Sequence, residues 1–214
     1  MKNTTKKFNI SKIILTIIIW AIGITMLVPL IWMISTACKV EADVFNFPIE
    51  WIPRRWNLVQ NMKEVWGGRY NFGLYYLNSI KVAVLATFFQ VFVSALGAYG
   101  FSKIKFKGRD ALFLAYLATM MIPPQVTIVS QFIITRQLGL YNTHAGLIAM
   151  LAFSVYGVFL LRQAMMAVPD SLSESAQIDG AGHLRIFFQI ILPMVKPSLA
   201  TLATLKFVWT WNDY

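Results

Sequence analysis

Cysteine occurs once in the 214 residues, at Cys38, so no internal disulfide framework is available. Histidine occurs twice, at His144 and His183, and with a single thiol these give no Cys/His metal cluster. No Gly-x-x-x-x-Gly-Lys-Ser/Thr run is present, so the chain has no phosphate-cradling loop and any ATP must be held by another chain. Charge is scarce, at 13% of residues, and the 19 basic residues outnumber the nine acidic ones. The basic residues gather at the ends of apolar runs rather than along an aromatic-interleaved stripe, which speaks for orientation in a bilayer and against nucleic acid. The spans also lack a convergent set of catalytic groups, which argues against an integral-membrane enzyme. No linker, low-complexity tract or short-period repeat divides the chain.

What is abundant is apolar surface: 57% of residues are hydrophobic and the mean hydropathy is +0.61. Lys2, Lys6, Lys7 and Lys12 precede an uncharged run over residues 13–34. "STAC" before Lys39 resembles a lipoprotein cleavage site, but Ser35 stands where a large aliphatic residue is expected. The run is also too long for a signal-peptide core, so it reads as an uncleaved membrane helix that tolerates Pro29. A polar stretch over 36–72, centred on "FNFPIEWIPRRWN", reads as an extended loop near the interface. Further spans are expected over 74–99, 111–134 and 145–166, and a fifth from about 198 to the last residue.

Orientation follows from the charges. With a cytoplasmic amino terminus, that side receives the four leading lysines, Lys103, Lys105, Lys107, Arg109, Arg162, Arg185 and Lys196. The other side receives Lys39, Arg54, Arg55, Lys63, Arg69 and Arg136, five of them spread over one long loop. Eleven against six places the amino terminus, and with it residues 168–197, in the cytoplasm.

That segment is unusually structured for a link between two greasy spans. In "VPDSLSESAQIDGAG", Ser171 and Glu174 have capping-box spacing, and a short helix is expected from about Leu172 to Asp179. Gly180 is suited to the left-handed conformation that ends it. A second helix would place Leu184, Phe187, Phe188 and Ile191 on one face, limited by Pro193 and Pro197. Such a helix–glycine–helix hook fits a cleft in a soluble partner. By spacing alone, an ordinary loop with a capped helix explains it equally well.

Here the chain resembles the membrane permeases of ATP-binding-cassette importers, whose cytoplasmic loop reads EAA, then G, nine residues, and I-x-L-P. This sequence has Glu174-Ser175-Ala176, Gly180, nine residues, and Ile190-Ile191-Leu192-Pro193, with serine in place of the first alanine. "LGLYNTHAGLI", "GVFLLRQ", "LPMVKPSLATLA" and "WND" are similar to the carbohydrate-uptake subfamily, on the maltose-type small-permease side. "NSIKVAV", "GAYGFSKIKFKGRD" and "MMIPPQV" extend the likeness through the second and third spans.

The resemblance implies an all-α polytopic membrane helix bundle with the type I importer permease fold. It would form one permease domain over 1–214, with a coupling loop over 168–197. It implies a non-enzymatic subunit in a bacterial inner membrane, working with a second permease as a heterodimer. The other partners would be a dimer of ATP-binding subunits that hold ATP and Mg, an external solute-binding protein and membrane lipid, but no nucleic acid. This chain would carry no cofactor.

In the loop, Glu174 would meet a basic group of the ATPase, beside its capping role. Ala176 and Gly180 would permit close approach, the Leu184–Phe187 face would fill the cleft, and Ser175, Asp179, Ile190, Leu192 and Pro193 complete the motif. The solute would be a sugar, or alternatively a glycerol-phosphate or other polyol derivative. A secondary transporter is the reading from a different class. Related permeases continue to a sixth span, so five of six are expected here, in a form that does not transport alone.

Lys206 and Asp213 lie seven apart, on one face if the fifth span is a continuous helix. They either line the solute route, with Asn212 beside them, or respectively snorkel and sit near the outer interface. Pro123 and Pro124 should break the third span, as a pathway-lining break or a packing kink. Trp209 and Trp211 read as anchors.

Overall fold

The computed structural model describes residues 10–68 and 71–213, so Lys2, Lys6, Lys7, Arg69 and Tyr214 lie outside the described residues. The chain divides into two compact units, Met1–Leu74 and Tyr75–Tyr214. No strand occurs among the described residues.

The first unit is dominated by α1, Ile10–Ala37, whose 28 residues run about 42 Å, longer than a hydrocarbon core of about 30 Å. Nearly all of its large apolar side chains are exposed, as a lipid-facing helix requires, the exception being Trp32. Two of its hydroxyls bond within the helix: Thr16 Oγ1 donates to Lys12 O and Thr25 Oγ1 to Ile22 O, both at 2.7 Å. Pro29 is held inside the helix.

The stretch after α1 is more ordered than a loop. It contains a second helix, α2, Leu58–Gly67, and folds back to supply donors for the end of α1. Asn61 Nδ2 donates to Ala37 O and Lys39 O, both at 2.9 Å, and Ser35 Oγ donates to Trp51 O at 2.6 Å. Terminal helix carbonyls need such partners; Asn61 serves the carbonyl of Ala37, while Ser35, itself in α1, donates outward. Lys39 is buried here, donating to Glu50 O with its ammonium 4.6 Å from the Trp32 ring centroid. It is a structural cation rather than a free loop charge.

The second unit takes most of α3, Phe72–Lys103. Then come α4, Arg109–Ala118, with a 3-10 turn over Thr119–Met121, and α5, Pro124–Gln137. The two halves meet at 99°, where Pro123 caps and Pro124 opens the second helix. Neither proline offers an N–H, so the expected break is present. The stretch expected as one span over 145–166 is also broken, into α6, His144–Leu151, and α7, Val155–Met166, at 47°. Ser154 restarts the helix by accepting from Gly157 N at 3.0 Å.

There follow α8, Asp170–Ile178, then α9, His183–Ile186, a π turn over Phe187–Ile191, and α10, Leu192–Met194. The last helix, α11, Lys196–Trp211, leaves the preceding helical run at 79°. Among the described residues two helices, α1 and α3, are each long and apolar enough to cross a membrane. The number rises to five if each bent pair is one span.

The core of this unit forms where α3 presents small residues. Ala95 and Ala98 are buried with Val158 and Leu161 of α7 and Leu202 of α11. A Cβ on Gly157 would lie 2.5 Å from Ser94 Oγ, so this close approach of helices requires glycine.

Candidate functional site: an ordered loop pinned to the end of a membrane helix

The segment over 168–197 is built in three steps. Helix α8 starts directly after Pro169, with Asp170 in its first turn, and no side chain caps it. The expected capping box is therefore not formed, because the helix begins two residues before Leu172 and Ser171 lies inside it. An acidic first turn and the preset backbone of Pro169 take over the role. Glu174 is exposed and makes no hydrogen bond or ion pair among the described residues. Its carboxylate is left to solvent or a partner.

The helix ends in a Schellman motif. Gly180 N donates to Gln177 O at 3.0 Å and Ala181 N to Ala176 O at 2.9 Å. Gly180 takes φ of 80°, the left-handed value expected of it. Ala176 and Ala181 both pack against the core, supplying the apolar contact that accompanies this motif. Ser175, Asp179 and Gly180 are exposed.

The second helical stretch departs from the single apolar face. Leu184 is 69% exposed and Phe188 50%, whereas Ile186, Phe187 and Ile191 are fully buried. Phe187 therefore fills this chain's own core rather than a partner's cleft, its ring 5.1 Å from Tyr99 and 4.8 Å from Phe188. The cause is the π turn, in which Leu192 N donates to Phe187 O, five residues back. Pro193 has no N–H, and its ring would press on the carbonyl four residues earlier, so the wider turn relieves both. A wide turn also brings Ile186 and Ile191, five apart, towards the same side. Ile190 and Leu192 pack partly against the core, and Pro193 is exposed.

Two basic residues that the sequence marks only as orienting charges act as anchors, Lys103 for this loop and Arg162 for the turn between α3 and α4. Lys103, the last residue of α3, has a side chain 4% exposed, and its Nζ donates to Val168 O and Asp170 Oδ1, both at 2.6 Å. Arg162 is buried. It donates from Nε to Phe101 O at 3.1 Å and from Nη2 to Asp110 Oδ1 at 3.3 Å, lying 4.1 Å over the Phe113 ring. A lysine closing a long helix was the available signal for Lys103. Nothing local marks Arg162, since its partners are 52 and 61 residues away.

The Lys103 hydrogen bond and charge hold the Asp170 carboxyl below the ordinary carboxylate value. A lowered acid stabilises the fold above its unfolded pKa, and the contribution disappears as pH falls through the folded one. Asp170 is 64% exposed, so solvent screens this pair. The larger cost of Lys103→Met is the orphaned Val168 carbonyl, about 1–3 kcal/mol. The variant should expose the α7–α8 junction to faster proteolysis. An unchanged cleavage rate would show that Lys103 does not hold the loop.

The remaining candidates are spread out. Pro123 and Pro124 are exposed at the α4–α5 break, and Lys206 is half-buried on α11. Helix α11 ends at Trp211, with Asn212 at the cap donating from Nδ2 to Val208 O at 2.7 Å. Asp213 lies beyond it, so the seven-residue spacing from Lys206 is not a helical face.

Long apolar helices, broken spans and an ordered polar hook between two of them define a polytopic α-helical membrane protein. Residues 90–214 match the model of the binding-protein-dependent transport system inner membrane component. The chain belongs to that family. It is 32% identical, over 98% of its length, to the probable ABC transporter permease protein YurM of Bacillus subtilis, covering 69% of that relative. It is 32% identical over 92% of its length to the diacetylchitobiose uptake system permease protein NgcG of Streptomyces coelicolor, covering 65%. It is 36% identical over 90% of its length to the sn-glycerol-3-phosphate transport system permease protein UgpE of Yersinia pestis, covering 70%. The family consists of permease components of ABC importers, so the chain is an inner-membrane permease and not an enzyme, and a secondary transporter is set aside. Its family partners are a separate ATPase and a solute-binding protein.

Proposed function

We propose that this chain is the permease subunit of an ATP-driven importer for a sugar or oligosaccharide. It forms one domain that pairs with a different permease, its amino terminus in the cytoplasm. The loop over 168–197 docks in an ATPase dimer, which holds ATP and Mg, and transmits its closure to α7 and α11. The observation that carries this reading is Glu174, an unused carboxylate on a loop whose helix stop and core-facing alanines are already engaged within the chain.

Glu174→Lys should leave membrane insertion unchanged while uptake and solute-stimulated ATPase activity both fall about tenfold or more, since truncating or reversing a paired charge at an interface costs roughly 2–5 kcal/mol. Normal uptake at equal expression would remove Glu174 from the coupling role. For orientation, an impermeant thiol reagent on intact cells should label a cysteine at Asn57 and spare one at His183. The reverse pattern overturns the topology. Cys38 is buried and gives little background.

The relatives named for diacetylchitobiose and for sn-glycerol-3-phosphate make a phosphate ester the second reading. A neutral sugar is favoured by a cleft of about 740 Å³ between α5 and α6. Gln131, Phe132, Tyr141, Asn142 and His144 line it, and neither Lys nor Arg does. Competition of uptake by neutral oligosaccharides, but not by sn-glycerol-3-phosphate, is the expected result.

A further inference from the structure

The ends of α3 and α7 and the start of α4 converge on one cleft of about 540 Å³, lined among others by Lys103, Lys105, Phe106, Arg109, Met166 and Asp170. The charges around it do not cancel. Lys103 is held by Asp170, and Arg109 and Arg162 share Asp110, at 3.1 and 3.3 Å. Lys105 and Lys107, in the turn between α3 and α4, are exposed and enter no ion pair among the described residues. The lining carries three cations, Lys103, Lys105 and Arg109, against the carboxylates of Asp110 and Asp170, and the adjoining Lys107 and Arg162 raise the excess of positive charge to three. Apolar side chains adjoin them: Phe106 is 43% exposed, Met166 52% and Leu114, further along α4, 68%.

Unneutralised lysines beside exposed apolar groups, where apolar helices end, match a molecule with an anionic head and an apolar tail. We propose that this cleft seats the phosphate headgroup of an anionic phospholipid. Lys105 and Lys107 neutralise the phosphate, while Phe106, Met166 and α4 lie along the acyl chains. Free phosphate presents the same anion but has no use for the apolar rim. The seated headgroup adjoins the Lys103–Asp170 pair that pins the loop, so the lipid biases how firmly that loop is held.

The test uses the intact importer complex reconstituted in nanodiscs of phosphatidylcholine alone or mixed with phosphatidylglycerol. Phospholipid retained by the complex is counted by native mass spectrometry. The complex should retain phosphatidylglycerol in preference to phosphatidylcholine, and K105Q/K107Q should weaken that preference about fivefold for each lysine removed. Added inorganic phosphate should not displace the lipid. Equal retention by the variant overturns the site. Displacement by inorganic phosphate at low concentration reassigns it to a free anion. Loss of the ATPase from the variant complex in both lipids makes it a protein interface instead. Because retention is read without transport, the outcome is independent of which solute is carried.

Discussion

Gly180→Val should abolish most uptake while the protein still reaches the membrane in normal amount. The loop tip holds φ of 80° at this position, and a β-branched residue in that region costs about 1–3 kcal/mol. Each 1.4 kcal/mol shifts an equilibrium about tenfold, so this cost is enough to move the tip out of its left-handed stop. No atom lies within 4 Å of a Cβ built on Gly180, so a steric clash inside the chain is not the cause. Gly180→Asn should therefore retain most of the activity, because asparagine tolerates the left-handed region. Uptake assayed in the assembled importer decides the matter. Wild-type rates for the valine variant would show that the loop shape is not needed for coupling. An asparagine variant as poor as valine would move the requirement from backbone conformation to side-chain size at a partner surface.

Phe187→Ala and Leu184→Asp should fail in opposite ways, although they lie three residues apart. Phe187 is fully buried against Tyr99 and Phe188, and truncating a buried phenylalanine costs about 3–5 kcal/mol. That is a large share of any domain's stability, so the alanine variant should express poorly and melt well below the parent. Leu184 is 69% exposed, and an exposed substitution moves stability within about 0.5 kcal/mol. Its aspartate variant should fold normally and lose ATPase retention during purification. Thermal melting in detergent and co-purification of the ATPase separate the two. Equal melting of both variants would show that Phe187 does not carry the core. Full ATPase retention by Leu184→Asp would leave the exposed face of α9 without a docking role.

Much of this was legible because it depends on short-range chemistry. Long, mostly apolar runs gave α1 and α3, since lipid demands internal hydrogen bonding of the backbone. Pro123-Pro124 announced a break because neither residue can donate. Gly180, after a helical run ending in Asp179, announced a left-handed stop. These are properties of one to five adjacent residues.

Other features were out of reach for a definite reason. The capping box at Ser171 and Glu174 was a sound local inference, displaced because Pro169 and Asp170 start the helix earlier. The single face through Leu184 and Phe187 assumed a regular α-helix, and the π turn before Pro193 rotates that face.

The sequence by itself determined the membrane class, the approximate spans, the broken third helix and the position of the glycine stop, all through patterning and backbone restriction. Only the tertiary structure decided that Lys103 and Arg162 are anchors rather than orienting surface charges. It alone buried Phe187 and left Glu174 unused. Those outcomes depend on carbonyls and carboxylates brought close from tens of residues away, and spacing along a chain carries no record of which of them will meet.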